Sequence, residues 1–153
     1  MIGTLYSFGY QGLKGSADLA ELLHGTPVSV IVDVRLSPWS GNRAFSVATR
    51  YTVNDAGLTY IHEKGLGNLG YKRGTIEIAD IARIEPILDA LREGVSVALM
   101  CVCPNPAYCH RWTLVEAALD REPDLRVVHL SRTAGPKSHR RAAPDTMPMP
   151  LGL

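Results

Sequence analysis

Apolar residues run almost unbroken through Val28-Ser-Val-Ile-Val-Asp-Val-Arg35 and again through Val95 to Cys101. Stretches of this length, partly β-branched and bounded by polar residues, predict strands buried on both faces. Thr4 to Tyr10, Leu58 to His62 and Leu125 to Leu130 supply further strands. Between them the spacing becomes helical. Ser16 to His24 predicts a helix with Ser16 as its N-cap and Gly25 as its stop, and Val47 to Asp55 predicts a weaker one. Ile84, Ile87, Leu88 and Leu91 mark one side of another helix, which Pro86 places from about Glu85 and Gly94 ends. Trp112, Val115, Ala118 and Leu119 mark the last, from Cys109 to about Asp120. Gly65, Gly67, Gly70 and Gly74 fall within one short segment and predict a loop open to ligand.

Strands alternating with helices over short connections predict a single three-layer α/β domain at residues 1–130, with a mostly parallel sheet of about five strands, Rossmann-like or flavodoxin-like. At Ser131 the character changes to a basic and then proline- and methionine-rich stretch with no amphipathic period. Residues 131–153 are accordingly expected to form a flexible or loosely docked tail.

Composition narrows the classes of partner. The 153 residues are 46% hydrophobic and 20% charged with a formal net charge of +1, so no global field draws the chain to nucleic acid or to a membrane. Neither a secretory leader nor a membrane-spanning segment is expected from the apolar pattern, and the three cysteines are odd in number and clustered. This is the pattern of a cytoplasmic protein with reduced thiols.

In open α/β sheets, ligands bind beyond the carboxyl ends of the strands. Those ends deliver Tyr10, Asp33, Arg35, His62 and Cys101 to one rim, joined by Cys109, His110 and Arg111 at a helix start. Asp33 has an equal claim to be only a cap or the ion-pair partner of Arg35. A lone His62 at a strand end is more often a hydrogen-bonded surface residue than a catalyst. Trp39 and Tyr71, in loops, have the shape to stack on a ligand ring or to cover the core.

The segment Cys101-Val-Cys-Pro-Asn-Pro-Ala-Tyr-Cys-His-Arg111 holds every cysteine of the chain and has three readings. Cys101, Cys103, Cys109 and His110 carry zinc-type donors, but Cys-x-Cys-x5-Cys-His is not a standard zinc spacing. Adjacent helical residues also diverge by about 100°, which sets Cys109 and His110 apart. Alternatively Cys109, in the first turn of a helix beside His110 and Arg111, is a thiol of lowered pKa and a nucleophile. Or the cysteines are small buried hydrophobes, the simplest account of Cys103 and an open one for Cys101. The strand-to-helix loop resembles the anion cradle of rhodaneses and cysteine phosphatases, although Arg111 falls two positions later than their Cys-x5-Arg spacing requires.

Taken in order, Tyr6-Ser-Phe-Gly-Tyr10, Asp33-Val-Arg35 with Pro38, Tyr60-Ile-His62 with Leu66-Gly67, and Cys101 followed by Cys109-His110-Arg111 resemble the DUF488 family of small proteins. The resemblance spans Thr4 to Leu130. It implies an α/β fold and this residue set, and it brings no settled reaction. Two positions depart from the family pattern: Tyr10 stands where a histidine is usual, and Cys103 where an acidic residue often follows the first cysteine.

The leading expectation is an enzyme or ligand-binding domain for an anionic small molecule or nucleotide. Arg35 and Arg111 would fix the anion, Cys109 would be nucleophile or redox thiol, Asp33 and His110 would handle protons, and Tyr10, His62 and Cys101 would line the site. No cofactor and no metal enter this expectation, and no oligomeric state follows from it. The alternatives are a nucleic-acid-binding or nucleic-acid-modifying module, using Arg43, Arg50, Lys64, Lys72 and Arg73 with stacking by Trp39, Tyr51 and Tyr71, and a metal-binding protein using the cysteine cluster.

Overall fold

A computed structural model describes residues 1–141. Five parallel strands, β1 (Leu5–Gly9), β2 (Val28–Asp33), β3 (Thr59–His62), β4 (Ser96–Cys101) and β5 (Val127–His129), form a sheet completed by a short antiparallel strand, β6 (Lys137–Ser138). The order is β3-β2-β4-β1-β5-β6. The helices are α1 (Ser16–Leu23), α2 (Thr49–Asp55), α3 (Glu85–Arg92) and α4 (His110–Arg121). Among the described residues no helix is long and apolar enough to cross a membrane.

The three-layer α/β architecture is the one the strand and helix pattern predicts. Its strand order differs from the common doubly wound orders 3-2-1-4-5-6 and 2-1-3-4-5, because β4 lies between β1 and β2. Side chains alternate across the sheet, as a period of two requires. Tyr6, Phe8, Ile31, Ala98 and Met100 face α1 and α2, while Leu5, Val32, Leu99 and Cys101 face α3 and α4. Every residue of β4 is buried, which explains its unbroken apolar run. Apolar packing on both faces is the main source of stability.

Local signals place most element ends. Pro86 sits in the first turn of α3, where a missing N–H costs nothing. Ser16 does not cap α1: it is the first helical residue, and Asp18 instead accepts the Lys14 N–H at 2.7 Å. Cys109 is the N-cap of α4 and is extended (φ −125°, ψ 149°), so the helix begins one residue later than its apolar spacing predicts.

The first part of the expected tail is docked. Ser131 to Arg141 turns back so that β6 pairs with β5, and the His139 N–H bonds Val127 O at 2.9 Å. Arg141 reaches Glu116 and Asp120 at 3.0 and 2.6 Å. The rest of the expected tail, 142–153, lies outside the described residues. The docking centres on a hydrogen-bonded chain. Arg111 Nη1 donates to Ser7 Oγ (2.8 Å), Ser7 Oγ pairs with His129 Nδ1 (2.5 Å), His129 Nε2 pairs with His139 Nδ1 (2.8 Å), and His139 Nε2 donates to Glu116 (2.5 Å). Trp112 stacks on His129 with centroids 5.6 Å apart.

Burial, then His139 and Arg111, pull the His129 pKa down to about 4. An unfolded histidine titrates near 6.5, so between these values the unfolded chain binds more protons and folding weakens as pH falls. Stability is fully present above about pH 6.5 and is expected to drop by about 2 kcal/mol on acidification to pH 4, a figure reduced for partial solvent screening. Urea midpoints across that range test this in the wild type and in His129→Leu. The same acid sensitivity in both proteins would assign it to another group.

Candidate active site

The cysteine loop is shaped by the end of β1. Gly9 lies so close to it that a Cβ there would stand 1.9 Å from Cys103 O, and the Tyr10 and Gln11 N–H groups bond Cys101 O and Val102 O at 2.9 and 3.2 Å. Farther along, the Asn105 side chain accepts the Ala107 N–H and a turn over Pro106–Tyr108 leads to Cys109. These constraints return the chain from the end of β4 to the start of α4 with three donor groups converging. Cys101 Sγ and Cys109 Sγ each lie 3.8 Å from His110 Nδ1, and the three donor atoms fall within 4.8 Å of one another.

The geometry fixes the imidazole. His110 Nε2 lies 2.8 Å from Val34 O, an acceptor only, so Nε2 carries the proton. In the neutral ring Nδ1 therefore turns its lone pair to both sulfurs, where it can take a thiol proton. The thiols are unequal. A hydrogen bond from Cys101, with His110 and then the Arg111 charge and backbone N–H, drives the Cys109 pKa far below the ordinary thiol value against the effect of burial. The Cys101 thiol is pushed up by its hydrogen bond to Cys109 and by burial, and Cys103 is raised by burial and by the Cys109 charge. Of the three thiols Cys109 is thus the one placed to ionise, with His110 Nδ1 positioned to take its proton.

Arg111 is its counter-charge. The guanidinium is wholly buried, donates only to the neutral Ser7 Oγ and Cys103 O (2.8 and 2.5 Å), and has no partner at Nε among the described residues. A buried cation needs an anion nearby, and the Cys109 thiolate answers that need.

Asp33 is the ion-pair partner of Arg35, one of the two readings its sequence position left open. All five N–H hydrogens of Arg35 are taken: Nε and Nη2 hold Asp33 at 2.8 and 2.6 Å, Nη1 holds Tyr10 Oη and Phe45 O, and Nη2 also meets Thr49 Oγ1. Asp33, fully buried, also accepts the Arg35 N–H and the Tyr60 hydroxyl, the latter at 2.6 Å. Burial and Asp33 hold the Tyr60 hydroxyl protonated well above its ordinary range. Arg35 has no donor left for an anion, and Asp33 no free lone pair for a proton. Their directions explain this, since Asp33 and Arg35 alternate with Val32 and Val34, which face α3 and α4. Tyr10 belongs to the same buried set, stacked on Phe45 at 4.8 Å. His62 is a strut whose Nε2 donates to Arg35 O at 2.7 Å.

Above the thiol cluster lies a cavity of about 680 Å³. Cys101, Cys103, Cys109 and His110 line it on one side, while Trp39, Tyr71 and Tyr108 stand at its mouth, 70%, 62% and 83% exposed. The glycine-bearing segment supplies part of the opposite wall, through Gly74 and Thr75. Of the expected site residues, Arg35, Cys101, Cys109 and His110 line this cavity, Arg35 with its donors already occupied, and Arg111 is wholly buried. Cys103, read from sequence as the least functional cysteine, lines the cavity as well. Sequence spacing does not single out Ser7, His129 or Glu116 as site residues and marks Tyr60 only within a motif; the polar Ser7 and His129 inside otherwise apolar strands are the available signal, since the two pair in register.

Fold and site together define a three-layer α/β domain with a buried thiol–imidazole cluster at the carboxyl rim of its sheet. No protein-family model, curated protein or solved structure matches the chain.

Proposed function

We propose that the protein is a thiol-dependent enzyme acting on an anionic small molecule or nucleotide, with Cys109 as the nucleophile. The observation that carries this reading is the convergence of Cys109 with a tautomerically fixed His110 beside a cavity of about 680 Å³. In the reaction Cys109 Sγ forms a bond to an electrophilic carbon or phosphorus centre, and the leaving group departs with its electron pair. His110 Nδ1, having taken the thiol proton, returns it to that leaving group. The buried Arg111 and the amino end of α4 favour negative charge at this place, and the aromatic mouth suits a flat ring such as a base. The ordered motifs from Tyr6 to Arg111 support membership of the DUF488 family as part of the same proposal.

Iodoacetamide labelling of the reduced protein near neutral pH, mapped by mass spectrometry, tests the reading. Cys109 should react about tenfold faster than Cys103, although Cys103 is the more exposed, because attack requires thiolate. Cys109→Ser should remove the fast phase. Labelling that falls first on Cys103 would end the proposal.

A further inference from the structure

The cluster that makes Cys109 a nucleophile also has the donor set and spacing of a metal centre. We infer that Cys101 Sγ, Cys109 Sγ and His110 Nδ1 form a zinc(II) site whose occupation switches off the thiol chemistry; the switching, though not the site, rests on the function proposed above.

Four observations converge. First, the donors are two sulfurs and an imidazole nitrogen, the soft and borderline set that zinc prefers to carboxylate-bound cations. Second, the spacing fits. Tetrahedral zinc with bonds of about 2.3 Å to sulfur and about 2.05 Å to nitrogen sets sulfur and nitrogen about 3.6 Å apart and the two sulfurs about 3.8 Å apart. The structure has 3.8 Å for both sulfur–nitrogen pairs, with all three atoms inside 4.8 Å, so rotamer-scale adjustment closes the site. Third, the ligating nitrogen is already selected. The bond from His110 Nε2 to Val34 O at 2.8 Å is the outer contact that metal-bound histidines make, fixing ring and tautomer. Fourth, two thiolates and zinc sum to zero charge, which suits side chains that are all buried.

The objection from sequence was that neighbouring helical residues point about 100° apart. It fails because Cys109 is not helical. As the N-cap its backbone is extended, which turns its sulfur back toward the ring of the residue that follows. Three protein ligands leave a fourth position, and the cavity lined by Cys103 is on the side from which water or an incoming thiol would fill it.

Zinc and substrate then compete for one lone pair. As each metal–sulfur bond forms, any proton still on that thiol leaves to solvent, and a metal-bound Cys109 no longer attacks. The zinc level would set the active fraction.

The test uses the full chain, reduced and stripped of metal. Titration with zinc(II) against a chromophoric chelator should give one tightly held metal per chain, and the same equivalent should suppress Cys109 alkylation at least tenfold, reversibly on adding excess chelator. Cobalt(II) should give the visible bands of a tetrahedral ion and the near-ultraviolet absorption of thiolate-to-metal charge transfer. Cys101→Ser, checked for folding by circular dichroism, should weaken zinc binding at least about 100-fold. If that variant does not fold, the cobalt spectrum of the wild type decides. No stoichiometric zinc binding, or an octahedral cobalt spectrum without thiolate absorption, overturns the inference, and the thiol reading survives it if Cys109 still labels fast. Tight zinc with slow labelling of the metal-free protein would instead keep the metal site and remove the nucleophile.

Discussion

Asp33→Ala is expected to destabilise the protein by about 3–5 kcal/mol, the cost of breaking a buried ion pair from one side. The variant strands the Arg35 guanidinium, 5% exposed, without its counter-charge and leaves the Tyr60 hydroxyl without its acceptor. Arg35→Ala should cost about as much, since it strands the carboxylate. The pair as a whole is a different matter. Desolvating two charges nearly cancels their attraction, so Asp33→Leu with Arg35→Met should recover most of the loss. Urea unfolding of the two single variants and the double one measures this directly. The interaction is structural, and the folded fraction of each should keep the fast labelling of Cys109. An Asp33→Ala protein that is as stable as wild type but has lost Cys109 reactivity would return Asp33 to the reaction.

Gly9→Ala should be the next most damaging single change, and it strikes the site from behind. The added methyl would meet three backbone atoms, Cys103 O at 1.9 Å, Cys103 C at 2.3 Å and Pro104 N at 2.8 Å, none of which can move by a rotamer change. The loop must shift as a unit. Its displacement removes the Cys103 O acceptor from Arg111 and separates the two sulfurs, so a stability loss of about 3 kcal/mol is expected together with loss of the fast Cys109 phase. Gly41→Ala, where nothing lies within 4 Å, is the control and should change stability by no more than about 0.5 kcal/mol. Equal stabilities for the two variants would show that the cysteine loop is far softer than its contacts indicate.

The strands and helices were legible in the sequence wherever apolar spacing is the dominant force. The unbroken run from Val95 to Cys101 reads correctly as a strand because both its faces are covered. Proximity of the cysteine segment to the rim was also legible, since it follows from strand direction alone. Three things were not. The saturation of Arg35 depends on Tyr10, Phe45 O and Thr49, which come from elements elsewhere in the chain, and no local spacing announces five occupied donors. The orientation of Cys109 toward His110 depends on one residue lying just outside a helix, a boundary that apolar periodicity leaves uncertain by about a residue. The docking of Ser131 to Arg141 carries no apolar period because β6 is two residues long and exposed; histidines, arginines and Glu116 hold it in place of a core.

The place of β4 between β1 and β2 also governs how the chain finds its fold. The first two strands of the sheet in chain order are not neighbours. Leu5–Gly9 must wait for Ser96–Cys101 or Val127–His129, and only Val28–Asp33 meets an early partner, in Thr59–His62. Closing loops this long before any pairing rewards them makes such topologies slow, so assembly is late and cooperative, set by arrival of the strand that carries Cys101. The reactive cluster therefore comes into being in the same event that completes the sheet, and a chain arrested before that event has neither.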